Sequence, residues 1–303
     1  MGLNMTKEPA GRRFFIAEQA FNAPQQSPGL YLVSTPIGNL RDITIRALET
    51  LAGADVIACE DTRVTRKLLD HFGIATPLTP YHEHNAASAR PKLLGRLAAG
   101  ESIALVSDAG TPMISDPGYK LVRATYEAGH AVTSLPGPSA LLAALTNAGL
   151  PTDRFFFEGF LPAKASQRSA RIAQLVRIPA TLVLFESGPR LADALAALAS
   201  GFGDRDAAVC RELTKLHEEV RRDPLSKLAQ DYAQGLETRG EIVIVIAPPD
   251  ESEAPPDARE LDDIIRNSLA RLSLKDAVSE IAESTGVPRR EVYQRALALT
   301  KEK

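Results

Sequence analysis

The sequence contains no tryptophan, and aromatic residues make up only 5% of it. The missing tryptophan excludes nothing by itself. The shortage of aromatics means that any stacking on a nucleobase must rest on a few side chains, such as Tyr81, Tyr119 and Phe160. Cysteine is nearly absent as well. Cys59 and Cys210 each lie in or beside an apolar run, which predicts two buried thiols rather than a disulfide, and their spacing offers no metal site. No apolar run approaches the roughly 18–20 residues of a membrane helix, and the N-terminus lacks the basic-then-apolar order of a secretion signal. A cytoplasmic protein is expected by default. The formal net charge of −3 argues against a chain that grips nucleic acid over its whole surface, while leaving room for a local basic patch.

What is present is an ordinary globular composition, 44% hydrophobic and 24% charged over 303 residues. That length exceeds one compact core, so two domains are expected. Residues 1–28 read as a flexible extension with an apolar anchor at Phe14–Ile16. A first α/β domain spans 29–150 and a second 151–248. A Pro/acid linker covers 249–257, and a helical tail covers 258–303.

The first domain alternates apolar strand runs with helical periodicity, which predicts a mostly parallel sheet. Leu30–Val33 runs into the turn STPIGNL (Ser34–Leu40), followed by a helix with Asp42 as its cap. This turn is not the glycine triad of a dinucleotide fold, so NAD and FAD have no support. Asp55–Cys59 ends in EDTR (Glu60–Arg63), which is either a polar site cluster or a helix start capped by Asp61 or Thr62. His82 and His84 in PYHEHN suggest a polar loop facing a substrate more than a metal site. Ile103–Val106 leads into SDAGTPMISDPG (Ser107–Gly118). A loop so rich in glycine and proline holds one unusual shape, and ligands bind at strand carboxyl ends in such sheets. Ala131–Leu135 ends in PGPSA (Pro136–Ala140) before an apolar helix. In the tail, a helix, a glycine-containing turn and a second helix with Arg289, Arg290, Arg295 and Lys301 fit either a helix-turn-helix module or a packing appendage.

The ordered motifs STPIGNL, ACEDTR, LVSDAGTPMISDPG, LPGPSA, FEGFLPAK (Phe157–Lys164) and CRELTKLHEE (Cys210–Glu219) closely resemble those of the ribosomal RNA small-subunit methyltransferase I family. The resemblance runs from Leu30 to about Ala247. It implies a tetrapyrrole-methylase-like fold of two α/β domains with S-adenosylmethionine in the cleft between them, plus a small C-terminal helical module. It implies 2′-O-methylation of a cytidine in the decoding region of 16S rRNA, within the assembled small ribosomal subunit, by a homodimer. Carried over by motif, the methyl donor would meet Pro36, Asp108, Thr111, Pro112, Ser139, Ala140, Phe185, Glu241 and Ile242. No metal is implied.

One departure stands out. The family's Pro-His-Arg after Glu-Ser is Gly188-Pro189-Arg190 here, so the histidine is replaced by Pro189 while Arg190 is kept. Arg221 and Arg222 stand where Arg-Gly is usual. For catalysis the candidates are Glu60 and Asp61 as base or orienting groups, and Arg63 and Lys164 as phosphate holders or charge stabilisers. RNA contacts are expected from Lys164, Arg168, Arg171, Arg190, Arg221, Arg222, Arg289 and Arg290. Two other readings share parts of this evidence: a tetrapyrrole methyltransferase, which would need a flat apolar pocket, and a non-catalytic RNA-binding ribosome assembly factor.

Overall fold

The computed structural model describes residues 12–249 and 258–301. The start of the expected extension and all but the first residue of the expected linker lie outside the described residues, as does the side chain of Lys301.

The described part of the extension is ordered, which corrects the expectation of a flexible segment. β1 (Arg13–Ile16) and β2 (Gln19–Asn22) form an antiparallel hairpin. Phe14 is buried and stacks on Phe21 at 5.5 Å, and Arg12 pairs with Asp55 at 2.8 Å. Strands of four residues are too short to announce themselves by alternation.

The first half is a five-stranded parallel sheet in the order β5-β4-β6-β3-β7. Its strands are β3 (Gly29–Val33), β4 (Val56–Cys59), β5 (Leu78–Pro80), β6 (Ser102–Val106) and β7 (Val132–Leu135). Helices α1 (Ile45–Gly53) and α2 (Thr62–His71) cover one face through Leu48, Leu51 and Leu69. Helices α3 (Ala86–Ala98) and α4 (Tyr119–Glu127) cover the other through Leu93, Leu97 and Leu121. Burial on both faces is why β4 and β6 read as continuous apolar runs and not as alternating ones. Asp42 does not cap α1. It ends a short 3₁₀ turn, and the Thr44 side chain accepts from the Ala47 N–H instead.

The second half is a mixed sheet in the order β11-β10-β12-β9-β8. Its strands are β8 (Phe155–Phe160), β9 (Thr181–Ser187), β10 (Asp206–Arg211), β11 (Glu219–Pro224) and β12 (Glu241–Ile246). Only β8 and β9 are parallel neighbours; the other pairs are antiparallel. Helices α6 (Ala165–Leu175), α7 (Leu191–Phe202) and α8 (Leu225–Ala233) cover one face. The other face meets α5 (Ala140–Asn147) and Ile37 from the first half. The apolarity of α5 follows, because its Ala144 and Leu145 form a core shared by both sheets. Burying Leu145 alone is worth about 2 kcal/mol.

The tail folds into α9 (Ala258–Leu269), α10 (Leu274–Thr285) and α11 (Arg289–Lys301) around Leu261, Ile265, Ile281 and Val292. Gly286 closes α10 at φ 67°, a left-handed turn that favours glycine. A Cβ there would overlap the guanidinium of Arg177, which lies just after α6. The tail therefore touches the second half at this cap.

Candidate functional site

A parallel sheet puts every carboxyl end at one edge. Here three of the loops on that edge are stitched together. Thr35, after β3, exchanges both backbone hydrogen bonds with Gly110 at 2.9 Å. The Ser34 hydroxyl donates to Thr111 Oγ1 at 3.1 Å, and the Thr111 hydroxyl donates to the Pro138 carbonyl at 3.0 Å. Gly137 lies so close that a Cβ would stand 2.7 Å from Ser34 Cβ. Within the central loop, Met113 and Ser115 take positive φ of 73° and 65°. On the facing loop of the second half, Glu212 and Thr214 do the same at 50° and 66°. Backbone strain of this kind persists where surrounding structure enforces it.

Between these loops lies a cavity of about 330 Å³, at the lower end of the range for small-molecule sites. The first half contributes Ile37, Thr111, Ile114, Asp116, Ser139 and Ala140; the second contributes Phe160, Phe185, Glu186, Cys210, Leu213 and β12 from Glu241 to Val243. Of the expected methyl-donor contacts, Thr111, Ser139, Ala140, Phe185, Glu241 and Ile242 are on its wall. Pro36, Asp108 and Pro112 are not among the lining residues. Ser139 also caps α5, accepting from the Leu142 N–H. Sequence reasoning missed Ile37, Glu186, Cys210 and Leu213. The positions of the last three, in or directly after strands ending toward the cleft, were the available signal.

Four carboxylates gather at the rim, and their environments differ. Asp61 is the helix cap that the EDTR motif allowed. It accepts from the Arg63 N–H at 2.8 Å and pairs with the Arg63 guanidinium at 2.6 Å. These bonds hold its carboxyl down at about 2, which leaves a weak base. Arg63 is correspondingly committed to Asp61. Asp108 is exposed and accepts from the Asp61 N–H at 3.0 Å. Glu60 is raised above the ordinary carboxylate range by burial and by the nearby charge of Asp108. Asp116, which the sequence reading did not place in catalysis, is pushed up to about 6 by burial and by Glu60, against a lowering hydrogen bond from Ser107. Cys210 is raised to about 11 by burial, so this thiol is inert.

The second half's cations are largely tied down. Arg171 grips Glu158 through two hydrogen bonds of 2.6 Å. Arg190 pairs with buried Glu186 at 3.2 Å and donates to the Leu161 carbonyl at 2.6 Å. Arg221 pairs with Glu219 at 2.6 Å. Arg222 donates to the Asn147 and Ala148 carbonyls at the end of α5, joining the halves. Lys215 bridges Glu212 and Glu241, and its stem fills the space where Gly38 lacks a Cβ. Arg168 is half-buried, while Lys164 stays exposed at the start of α6. In the tail, Arg289 donates to Ser279 at 2.7 Å, Arg295 pairs with Asp262, and Arg290 is exposed. Of the aromatics expected to stack, Tyr81 is buried, whereas Tyr119 and Phe160 are exposed.

Gly188 stands at the departure from the family motif. A Cβ there would overlap the Thr238 carbonyl oxygen, so this turn is built around a residue without a side chain. Among the described residues no three His, Cys, Asp or Glu side chains gather as a metal-binding group. None of the helices there is long and apolar enough to cross a membrane.

The family description "Tetrapyrrole (Corrin/Porphyrin) Methylases" matches residues 29–229, and "RsmI C-terminal HTH domain" matches residues 255–300. The chain is 51% identical over 285 residues to the ribosomal RNA small subunit methyltransferase I of Mesorhizobium japonicum, covering 94% of this chain and 96% of that one. It is 45% identical over 274 residues to the protein of the same name from Pseudomonas aeruginosa, covering 88% and 96%. In fold it is similar to the uroporphyrin-III C-methyltransferase of Thermus thermophilus solved with S-adenosylhomocysteine, at 21% identity, with a TM-score of 0.52 and coverage of 72% and 97%. With a cleft between two α/β halves and this helical tail, the chain belongs to the ribosomal RNA small subunit methyltransferase I family of the tetrapyrrole methylase superfamily.

Proposed function

We propose that the chain methylates the ribose 2′-hydroxyl of a cytidine in the decoding region of small-subunit rRNA, using S-adenosylmethionine. The single observation that carries the site assignment is the cavity between the halves, walled largely by apolar side chains and bordered by Asp116, whose charge no cation offsets among the described residues. That chemistry fits a ligand with a flat purine face and a cationic sulfonium. Ile37, Thr111, Ala140, Phe185 and Ile242 would hold it. When bound, S-adenosylmethionine supplies a methyl group on sulfur, open to in-line displacement.

The chain's own work is positioning and proton handling. The 2′-hydroxyl is a weak acid and must lose its proton as the new bond forms. Asp116 is the carboxylate suited to accept it. It lies on the cavity wall and its carboxyl titrates at about 6, so it is ionised at neutral pH yet far more basic than Asp61. Glu60 acts on it through charge. Of the cations expected to meet RNA, Lys164 and Arg290 are exposed and are assigned here to phosphates. From family membership we also infer a cytoplasmic homodimer, which a sedimentation mass of two chains would support.

The test is methyl transfer from labelled S-adenosylmethionine to small ribosomal subunits lacking the modification, followed by nucleoside analysis. Label in 2′-O-methylcytidine is expected. Label in another nucleoside, or none despite intact S-adenosylhomocysteine binding, would overturn the reading.

A further inference from the structure

Strand β8 runs in register with β9 until Phe157, which aligns with Val183; the next aligned pair is Gly159 with Leu184, so Glu158 is an extra residue. Such a bulge turns the following side chains to the opposite face. Phe156, Leu182 and Leu184 face the core under α6 and α7. Phe157, Val183 and Phe185 face the other core and the cleft. Without the bulge, Phe160 would align with Glu186, on the strand face of Leu182 and Leu184 and not on that of Phe185. With it, Phe160 aligns with Phe185 and stands on the cavity wall.

The bulge is held by two devices. Gly159 takes φ 75°, which glycine tolerates. The Glu158 carboxylate, almost fully buried, is clamped bidentately by Arg171 at 2.6 Å. Phe160 then rests edge-on against Phe185 with ring centroids 5.8 Å apart, and Phe157 supports Phe185 at 4.9 Å. Phe160 is nevertheless 54% exposed. The position of Gly159, where a Cβ would lie 3.3 Å from Ser115 Oγ, sets this strand end against the central loop. Phe160 and Asp116 therefore border the same opening.

We infer that Phe160 is the stacking platform for the nucleobase of the target nucleotide, and that the Glu158–Arg171 pair is the lock that holds it in the opening. This rests on the proposed action on RNA. An aromatic face braced from behind and open in front suits an unstacked base, because every base offers a π-face. It also reassigns Arg171, which acts on RNA through Phe160 and not by touching phosphate.

The experiment compares F160A, F160L and F160W. Three quantities are read: direct affinity for small ribosomal subunits, kcat and KM for methyl transfer to them, and calorimetric affinity for S-adenosylhomocysteine. Stacking of about 1–3 kcal/mol per base predicts a loss of about 10- to 100-fold in subunit affinity and in kcat/KM for F160A and F160L. F160W should stay near wild type, and because Phe160 also borders the methyl-donor cavity, S-adenosylhomocysteine affinity should fall much less than subunit affinity. If S-adenosylhomocysteine affinity fell as far as subunit affinity, Phe160 would serve the methyl donor and not the base, and the inference would fail. If F160L matched wild type, apolar cover alone would suffice and it would also fail. For the lock, E158A and R171A should each reproduce part of the F160A loss in subunit affinity. The charge-swapped pair E158R/R171E should recover more of it than either half of the swap alone. Unchanged subunit affinity in E158A and R171A would overturn the lock. Because subunit affinity needs no turnover, a wild type that binds subunits without methylating them would sink the functional reading and leave this one to stand or fall by itself.

Discussion

The two halves bring opposite resources to one cleft. The first sheet is all parallel, so its carboxyl ends share one edge, and its loops deliver acids: Glu60, Asp61, Asp108 and Asp116. The second sheet is mixed, so the cleft receives the ends of β8, β9 and β10 but the start of β12. What these deliver is mainly apolar wall, and the charges near it are paired with one another. Charge left uncompensated against charge cancelled is the useful distinction. The first half keeps a carboxylate reactive by burying it and then setting other acids beside it. The second spends its ion pairs on holding shape.

The sharpest way to break this comparison is D116N. Loss of a general base is expected to cost about 10²- to 10⁴-fold in kcat/KM, with S-adenosylhomocysteine affinity unchanged. The wild-type pH profile should rise through an apparent value near 6, and D116N should lack that limb. The groups acting on Asp116 are Glu60, Asp108 and the Ser107 hydroxyl, with His82 acting in turn on Glu60. Stability should move the other way. The Asp116 carboxyl is raised from 3.8 to about 6 in the fold, so its ionisation opposes folding. That cost is absent below the ordinary carboxylate value, grows as pH rises, and is complete above about 6. D116N should therefore raise Tm at pH 8 and leave it unchanged near pH 3.5. Retained turnover in D116N would take Asp116 out of the chemistry and return attention to Glu60.

G188A probes the shape-holding half. The new Cβ must displace the Thr238 backbone, at about 1–3 kcal/mol for overpacking, read as a lower urea midpoint. Because Gly188 precedes Arg190 and follows Glu186, the shift should also weaken S-adenosylhomocysteine binding. An unchanged midpoint would mean that the 236–240 segment moves freely.

Much of this was legible in the sequence, for identifiable reasons. β4 and β6 declared themselves because burial on both faces demands unbroken apolar runs. The central loop declared itself through glycine and proline that only a fixed unusual turn requires. β11 did not, because EVRRDP is a polar edge strand, and polar edges guard against unwanted pairing. The β1–β2 hairpin was hidden by its shortness. In the site, the EDTR cluster was visible but its internal division was not. Asp61 caps a helix and is held down by Arg63, while Asp116, across the cleft rim, carries a pKa raised first by burial and then by Glu60, and burial is visible only in three dimensions. The arginines were the least legible. Arg171, Arg190 and Arg222 look like an RNA-binding set in one dimension, and each proves to have an internal partner.

That last contrast yields the smallest expected effects and the finest test. Arg222 ties β11 to the carbonyl end of α5, while Arg290 stands exposed at the start of α11. If committed and uncommitted cations differ as the pairing indicates, R222A should lower unfolding free energy by about 1 kcal/mol through lost hydrogen bonds. It should leave the salt dependence of subunit binding alone. R290A should do the reverse. Its stability should be unchanged, but the slope of log affinity against log salt should flatten by slightly less than one, the mark of one released phosphate contact. A flattened slope in R222A would show that Arg222 leaves α5 to meet RNA. An unchanged slope in R290A would move the tail's role from gripping RNA to packing against the second half, through the contact between Arg177 and Gly286.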